Sequence, residues 1–278
     1  MLYVEPLGGL CNRMRTIASF YTAARETGRT LTVVWLRDAG MNCPCARLFA
    51  LPGDVTVVEG PFVSKPVMRL RSISRKLTHR ASGRRFDRTV ENWEAKKALT
   101  PESVRALKGK SLYASSCYSL ESEYEKYDCA IFKPAPDIQK LADGVTKRFP
   151  ANCVGVHIRR TDNVQSIEAS RTADFVERMR REVEADPEVG FFLATDSPEE
   201  ERQLKAKFPR RILTYEKRSL QRDSEQGIVD AYVDYLCLSR TRKIYGSFYS
   251  SFSRCAAALY GIELEIVTED VKLNNKPL

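Results

Sequence analysis

The stretch GVHIRRTDN, residues 155–163, changes from apolar to charged residues at a single point. The alternating β-branched residues of 154–158 are typical of a buried strand. Arg159, Arg160 and Asp162 follow with little apolar cover. An arginine charge is fixed, and its planar fork matches carboxylate and phosphate oxygens. The strand is therefore predicted to end at an anionic partner, either a ligand or an acidic side chain.

Strand and helix patterns alternate through the remainder of the C-terminal half. The predicted strands are 152–158, 189–195, 211–215, 242–247 and 264–267, and the predicted helices are 173–185, 197–208, 225–241 and 250–261. This alternation is typical of a mostly parallel sheet with helices on both faces.

The N-terminal half shows a weaker version of the same α/β plan. Its predicted strands are 2–6, 31–36, 55–59 and 111–115, and its predicted helices are 12–27, 100–109 and 136–149. Pro150 and Ala151 stand between the two patterns and mark the expected domain boundary. The sequence therefore predicts two α/β domains, residues 1–150 and 151–278.

The composition narrows the class of protein. The chain has 278 residues and is 43% hydrophobic, which is enough for a substantial core. It lacks an apolar run of about 18 residues, and its start lacks the basic and apolar regions of a signal peptide. A cytoplasmic protein is therefore expected.

The eight cysteines and two histidines argue against a metal site. Only Cys43 and Cys45 are close in sequence, and no second pair completes a zinc site. Reduced and mostly buried thiols are expected, with no metal and no cofactor.

Positive charge is concentrated in one segment. Residues 65–88 contain nine basic residues and one acid, so they carry nearly all of the net charge of +9. The remainder is close to neutral, and a nucleic-acid-binding surface is not indicated. The segment is predicted to be an insertion near 61–90. It could contact an anionic acceptor or the inner face of a membrane, or it could be a solvated helix or loop.

Polar residues follow several predicted strands of the C-terminal half. Asp196 follows 189–195 directly, and a serine cluster follows 242–247: Ser247, Ser250, Ser251 and Ser253. Ligands of open α/β sheets bind beyond the carboxyl ends of the strands, and a helix N-terminus with hydroxyl donors suits phosphate. Asp196 and Asp234 could accept from a ribose or a guanine edge. Together these residues predict a nucleoside diphosphate site.

A glycine turn, GGLCNR, lies between the first strand and the first helix. Gly8 and Gly9 allow close backbone approach, and Asn12 is the expected helix cap. The turn is neither a P-loop nor a GxGxxG motif, so a dinucleotide site is poorly supported.

Each feature also has a structural interpretation. The arginine pair could bind acidic side chains, Asp196 could cap the following helix, and the serines could be caps only. His157 on an inward face could be a hydrogen-bonded core residue. Their common placement at strand ends favours a binding site.

Three motifs, taken in order, resemble a known superfamily. GVHIRRTDN, FLATDSPEE and DYLCLSRTRKIYGSFYSSFS are similar to the donor-domain motifs of the α-1,6-fucosyltransferase, nodulation-factor fucosyltransferase and protein O-fucosyltransferase superfamily. The opening glycine turn and long helix resemble its first motif. The resemblance covers residues 2–36 and 152–260 and is weak in between.

The resemblance implies a GT-B-like fold, with two Rossmann-like domains and GDP-fucose in the cleft between them. Residues 1–150 would form the acceptor-side domain, and residues 151–278 would bind the donor. Such enzymes invert the anomeric centre, need no metal, and here would transfer fucose to a glycan or glycolipid acceptor.

The resemblance also implies roles for individual residues. Arg159 would contact the β-phosphate and stabilise the charge on the departing GDP, and Arg160 would support the site or bind the donor nearby. The remaining donor-binding residues are His157 and Asp234 at the guanosine, Asp196 at the nucleotide, Ser250, Ser251 and Ser253 at the diphosphate, and also Asp162, Gly8, Gly9 and Asn12.

Three assignments stay open at the level of sequence. Asp230 lies one helical turn from Asp234 and is an alternative to it. Glu168 is either the base that takes the acceptor proton or a surface acid. The donor could be another GDP-sugar, or the protein could bind nucleotide sugars or polyanions without catalysis.

Overall fold

The computed structural model describes residues 1–64, 66–67, 70, 86–91, 99–107, 109–120 and 129–268. They form two compact units. The first contains residues 1–135 and 221–229, and the second contains residues 136–220 and 230–278. The units assign residues 136–150 to the second unit, whereas the predicted boundary lay at Pro150 and Ala151. The acceptor-side and donor roles of the two domains stay predictions.

A five-stranded parallel sheet forms the centre of the first unit. The strands of this unit are β1 (Leu2–Pro6), β2 (Leu31–Arg37), β3 (Phe49–Ala50), β4 (Val55–Phe62), β5 (Arg88–Val90), β6 (Leu112–Ser116) and β7 (Lys133–Pro134). The sheet order is β4-β2-β1-β6-β5, while β3 and β7 form a separate antiparallel pair. The described helices are α1 (Leu10–Glu26), α2 (Cys45–Leu48) and α3 (Pro101–Arg105).

A second five-stranded parallel sheet forms the centre of the second unit. Its strands are β8 (Val154–Ile158), β9 (Phe191–Thr195), β10 (Ile212–Leu213), β11 (Lys243–Ser247) and β12 (Glu263–Val267), in the order β10-β9-β8-β11-β12. The helices of this half of the chain are α4 (Pro136–Thr146), α5 (Val164–Ala169), α6 (Thr172–Ala185), α7 (Pro198–Lys207), α8 (Glu225–Leu238) and α9 (Ser251–Tyr260). The predicted mixed α/β fold with parallel sheets is confirmed.

Helices cover both faces of the second sheet. Val156 and Ile158 of β8 belong to a buried apolar cluster with Phe175 of α6 and Leu204 of α7. His157 faces the opposite way and stacks on Phe252 of α9. The period of two along β8 therefore divides its side chains between two helical layers.

Helix α1 is anchored by Arg13, a residue for which the sequence pattern predicted no role. Arg13 is 1% exposed, and its guanidinium donates to the carbonyl oxygens of Gly8 and Leu36 and to Asp38 Oδ2, at 2.9, 2.5 and 2.7 Å. Its Cζ also lies 4.9 Å from the ring centroid of Trp35. This one side chain ties the turn after β1 to the end of β2.

Several element ends differ from the predictions. Helix α1 begins at Leu10 with Gly9 before it, so the prediction that Asn12 caps this helix is wrong. Helix α5 was not predicted, because six residues are too few to show a helical period. Thr100 caps α3 as predicted, accepting from Ser103 N at 3.2 Å, but the helix ends at Arg105.

The eight cysteines are all free thiols, and all except Cys117 are buried, as expected. Burial raises the pKa of Cys43 and of Cys153 to about 12, which keeps both thiols protonated. Within the described ranges, no helix is both long and apolar enough to cross a membrane. Most of the basic segment 65–88 lies outside the described residues, so its contact with a membrane stays a prediction. The cytoplasmic location also stays a prediction.

Replacing Arg13 with Met should destabilise the protein by about 3–5 kcal/mol, because the substitution removes a buried charge and leaves the carboxylate of Asp38, only 13% exposed, without its counter-charge. The free energy of urea-induced unfolding, followed by circular dichroism, measures this loss. Arg105→Met is the matched control: Arg105 pairs with Glu26 at the surface, where such a pair contributes about 0–1 kcal/mol. Equal stability of the two variants would contradict the anchoring role of Arg13.

Candidate functional site

The candidate site lies at the carboxyl edge of the second sheet. Ile158 pairs with Thr195, and His157 pairs with Gly246, so three neighbouring strands end at the same level. Arg159 donates its backbone N–H to Ser247 Oγ at 3.1 Å, and this hydroxyl donates to the carbonyl oxygen of His157 at 3.1 Å. The residue after β8 is thereby fixed to the end of β11.

Asp196 fixes the same loop from the other side. Its carboxylate accepts from the Arg160 N–H and from Thr161 Oγ1, both at 2.7 Å. The cap of α7 is Ser197, whose hydroxyl accepts from Glu200 N at 3.2 Å. The interpretation of Asp196 as a helix cap is therefore wrong, and its observed role is to hold the HIRRTD loop.

The two adjacent arginines have different surroundings. The Arg160 guanidinium donates to Thr172 Oγ1 at 3.1 Å and lies 3.4 Å from the carboxylate of Glu200. Thr172 donates to the same carboxylate at 2.5 Å, and the side chains of Arg160 and Glu200 are 13% and 8% exposed. Arg160 is thus part of a buried ion-pair network that supports the loop.

Arg159 is held by a partner at the surface. Its Nε and Nη2 donate to the two oxygens of Asp162 at 2.8 Å each. The Arg159 side chain is 20% exposed, and that of Asp162 is 48% exposed. A two-oxygen anion could take the position of the Asp162 carboxylate, since exposed pairs are weak.

Asn163 joins two of the sequence motifs. Its side-chain oxygen caps α5 by accepting from Ser166 N at 3.1 Å, and its Nδ2 donates to the carbonyl oxygen of Tyr249 at 2.8 Å. Tyr249 has φ +51, a left-handed conformation that is uncommon for a residue with a side chain. The contact holds the loop before α9 next to the loop after β8.

The serines before and within α9 differ in accessibility. Ser250 is the N-cap and accepts from Phe252 N at 3.4 Å, and Ser251 is half-buried in the first turn. Ser253 is fully buried, and its Oγ has no hydrogen-bond partner among the described residues. A Cβ at Gly246 would lie 2.5 Å from this oxygen, so only glycine fits there. The helix start and Ser251 are therefore the accessible donors.

His157 lies directly behind this helix start. It is 8% exposed, and its ring stacks on Phe252 with centroids 4.9 Å apart. Phe252 in turn meets the edge of Tyr235 of α8 at 6.0 Å. The aromatic layer fixes the imidazole against α9.

The two aspartates of α8 have separate roles. Asp230 accepts from the Tyr215 hydroxyl at 3.0 Å and from the backbone N–H groups of Arg218 and Ser219 at 2.6 and 2.9 Å. Asp234 pairs with Lys217, Nζ to Oδ2, at 3.0 Å. Burial raises the pKa of Asp234 to about 6, although the ammonium of Lys217 opposes the shift. Asp230 thus holds the loop before α8, whereas Asp234 forms an ion pair with Lys217.

The glycine turn belongs to the first unit. Gly8 has φ +79, which favours glycine, and it accepts from Arg13. Asn12 lies in the first turn of α1. The donor-binding roles of Gly8, Gly9 and Asn12 stay predictions. Among the described residues, no three His, Cys, Asp or Glu side chains are placed to share a metal ion.

Sequence reasoning missed three residues that shape this site. Lys217 lies in a loop without a pattern, and its pairing with Asp234 depends on the fold. Asn163 directly precedes helix α5, and asparagine is a preferred helix cap, so its capping role could have been predicted from the sequence. Thr161 stands inside the HIRRTD motif itself and completes the contact with Asp196.

No protein-family model matches the sequence, and no curated protein matches it either. The fold, however, matches solved structures over nearly the whole chain. The crystal structure of NodZ alpha-1,6-fucosyltransferase soaked with GDP-fucose has a TM-score of 0.63 at 18% identity, covering 100% of this chain and 97% of NodZ.

Two further structures give the same result. A variant of Arabidopsis thaliana FUT1 in complex with GDP has a TM-score of 0.62 at 12% identity, covering 99% of this chain and 71% of FUT1. POFUT1 in complex with GDP has a TM-score of 0.56 at 12% identity, covering 94% of each chain. The predicted resemblance is therefore confirmed at the level of the fold: the chain has the fold of these fucosyltransferases.

Proposed function

We propose that the protein is a glycosyltransferase that transfers fucose from GDP-fucose to a glycan or glycolipid acceptor, with inversion and without a metal ion. The observation that carries this proposal is the position of Arg159. Its guanidinium lies at the carboxyl edge of the sheet and is held by an exposed carboxylate, and its backbone is bonded to Ser247. The shared fold with GDP-fucose and GDP complexes supports the donor class.

The neighbouring groups suit a diphosphate. Helix α9 starts four residues after Ser247, and a helix start offers free N–H groups and a partial positive charge. Arg159 adds a fixed charge on the same edge. Arg160 forms a largely buried ion pair with Glu200, so it orients the loop and does not bind the ligand directly.

The proposed reaction is a single displacement. The acceptor hydroxyl oxygen bonds to the anomeric carbon of fucose while the bond from that carbon to the β-phosphate oxygen breaks. The hydroxyl proton passes to solvent water as the attack proceeds, and GDP departs with the bonding electron pair. Negative charge grows on the β-phosphate, where Arg159 and the start of α9 stabilise the transition state more than the ground state.

Replacing Arg159 with Ala should lower kcat by about 10²–10³-fold, because one fixed donor to the leaving group is lost. The affinity for GDP should fall much less. GDP release with GDP-fucose and a panel of glycan acceptors measures turnover, and calorimetry measures binding. Arg178→Ala is the control, since Arg178 has the same 20% exposure and pairs with Glu265 instead.

The outcomes separate the alternatives. Equal turnover of the Arg159 and Arg178 variants would contradict the role of Arg159. GDP binding without any transfer would favour a non-catalytic binding protein, and transfer from another GDP-sugar at a higher rate would replace the donor.

Chelation should leave turnover unchanged, because Arg159 and the helix start supply the charge that a metal would provide. The assay is repeated with excess EDTA, and the anomeric configuration of the product is read by NMR. Loss of activity in EDTA that added Mg²⁺ or Mn²⁺ restores, or retention of configuration, would contradict this part of the proposal.

A further inference from the structure

An exposed aromatic ring stands at the candidate site. Tyr249 lies between the end of β11 and Ser250, the N-cap of α9, and it is 47% exposed. Two other aromatic side chains of the described residues are exposed, Phe62 at the end of β4 and Tyr260 in the last turn of α9. Both lie away from the carboxyl edge of the second sheet. The diphosphate site described above gives the Tyr249 ring no role.

The backbone of Tyr249 has a conformation that a side chain disfavours. Its φ of +51 lies in the left-handed region, where glycine has the lowest cost. Hydrogen bonds on both sides fix this conformation. The preceding residue, Phe248, donates its N–H to Ser170 Oγ at 2.7 Å. The carbonyl oxygen of Tyr249 accepts from Asn163 Nδ2 at 2.8 Å. Strain that the surroundings hold in place is concentrated at functional sites, so a tyrosine at a position suited to glycine points to a role for its ring.

Two contacts place Tyr249 beside Arg159. Ser247, two residues before Tyr249, accepts from the Arg159 N–H at 3.1 Å. Asn163, which binds the Tyr249 carbonyl, directly follows Asp162, the partner of the Arg159 guanidinium. Two residues of chain span at most about 7 Å. The ring and the guanidinium therefore start from neighbouring points of the same edge.

A second exposed apolar side chain adjoins this loop. Val164 is 65% exposed and is the first residue of α5, directly after Asn163. The ring of Phe248 is nearly buried, and its centroid lies 6.0 Å from that of Tyr249. The two loops that Asn163 joins thus present apolar surface next to the charges of Arg159 and Asp162.

We infer that Tyr249, with Val164 beside it, determines the specificity for the transferred sugar by contacting the apolar face of a 6-deoxyhexose. The inference rests on the proposed function and deepens it. The sugar is bonded to the β-phosphate, which binds between Arg159 and the start of α9. Tyr249 lies between Ser247, which holds the Arg159 backbone, and the first residue of α9. Its ring is therefore next to the group that is transferred.

The chemistry of fucose suits an aromatic surface. The C–H groups at its third, fourth and fifth carbons form one apolar face, and the methyl group extends this face where most hexoses carry a hydroxymethyl group. A tyrosine ring is flat and rigid, so it offers a large contact area at a low cost in side-chain entropy. A hydroxymethyl group against the same ring would lose water without gaining a hydrogen bond. The contact therefore favours the deoxy sugar.

Replacing Tyr249 with Gly tests the inference. Glycine removes the ring and suits the left-handed backbone, so the variant should melt no lower than the wild type. Calorimetry compares GDP-fucose with GDP-D-arabinose, whose sugar is fucose without its methyl group. The wild type should bind GDP-fucose about 3- to 10-fold more tightly, the effect of burying one methyl group. In Tyr249→Gly the two donors should bind almost equally, while the affinity for GDP, which lacks the sugar, changes little.

Tyr260→Ala is the matched control. Tyr260 is an exposed ring at the other end of α9, about 15 Å from its start, and its removal should leave the ratio of the two affinities at the wild-type value. Tyr249→Phe should also keep the ratio, because the ring and not the hydroxyl makes the contact. If Tyr249→Gly does not fold, Tyr249→Asn removes the ring with a residue that tolerates the left-handed conformation.

The outcomes for this inference differ from those for the proposed function. A wild type that prefers GDP-fucose, with a Tyr249→Gly or Tyr249→Asn variant that keeps the same ratio, overturns the role of Tyr249 and leaves the proposed function intact. An unchanged ratio with a raised KM for the acceptor would assign the ring to the acceptor and overturn the inference as well. Equal loss of the ratio in Tyr260→Ala would also contradict it. A wild type that binds neither GDP nor GDP-fucose overturns both the inference and the proposed function.

Discussion

Hydrogen bonds from consecutive backbone N–H groups hold the loop after β8 between its two neighbouring strands. Arg159 donates to Ser247 on one side, and Arg160 donates to Asp196 on the other. Each bond contributes only about 1 kcal/mol, but a buried N–H group without a partner would cost more. Because both acceptors stand at the ends of parallel strands, the sheet itself determines where the two arginine side chains begin. The placement of Asn163 and Tyr249 follows from the same loop.

The division of roles between the two arginines follows from burial. The side chains of Arg160 and Glu200 are only 13% and 8% exposed. Removing either charge would leave the other largely buried without a counter-charge, so neither can exchange partners at low cost. Arg159 and Asp162 stand at the surface, where water screens both groups. A diphosphate carries more negative charge than one carboxylate and can replace it. Two identical side chains in adjacent positions thus give one rigid support and one available charge.

The sequence predicted the parallel α/β fold because strand and helix periods alternate clearly, and the strand 2–6 was placed at its observed ends. It also predicted which strand ends carry polar residues, since that depends only on local order. It did not predict the unit boundary near residue 135 or the burial of Arg13. Arg13 lies on the same helical face as Ile17, Phe20 and Ala24. Periodicity alone does not show that a charged side chain is buried, because the oxygens that accept from Arg13 belong to the turn after β1 and to the end of β2.

The contacts that sequence reasoning could not supply are those between distant segments. Lys217 and Asp234 belong to a loop and a helix that only the fold brings together, and Asp230 and Asp234 share similar positions along α8. The two aspartates differ in their partners: Asp230 accepts hydrogen bonds from three groups of the preceding loop, whereas Asp234 pairs with Lys217. A buried ion pair is a weak source of stability, since an apolar pair of the same volume would often stabilise the fold equally well. The contribution of this pair therefore lies in its polarity, since it places an ammonium against a carboxylate whose second oxygen has no partner among the described residues.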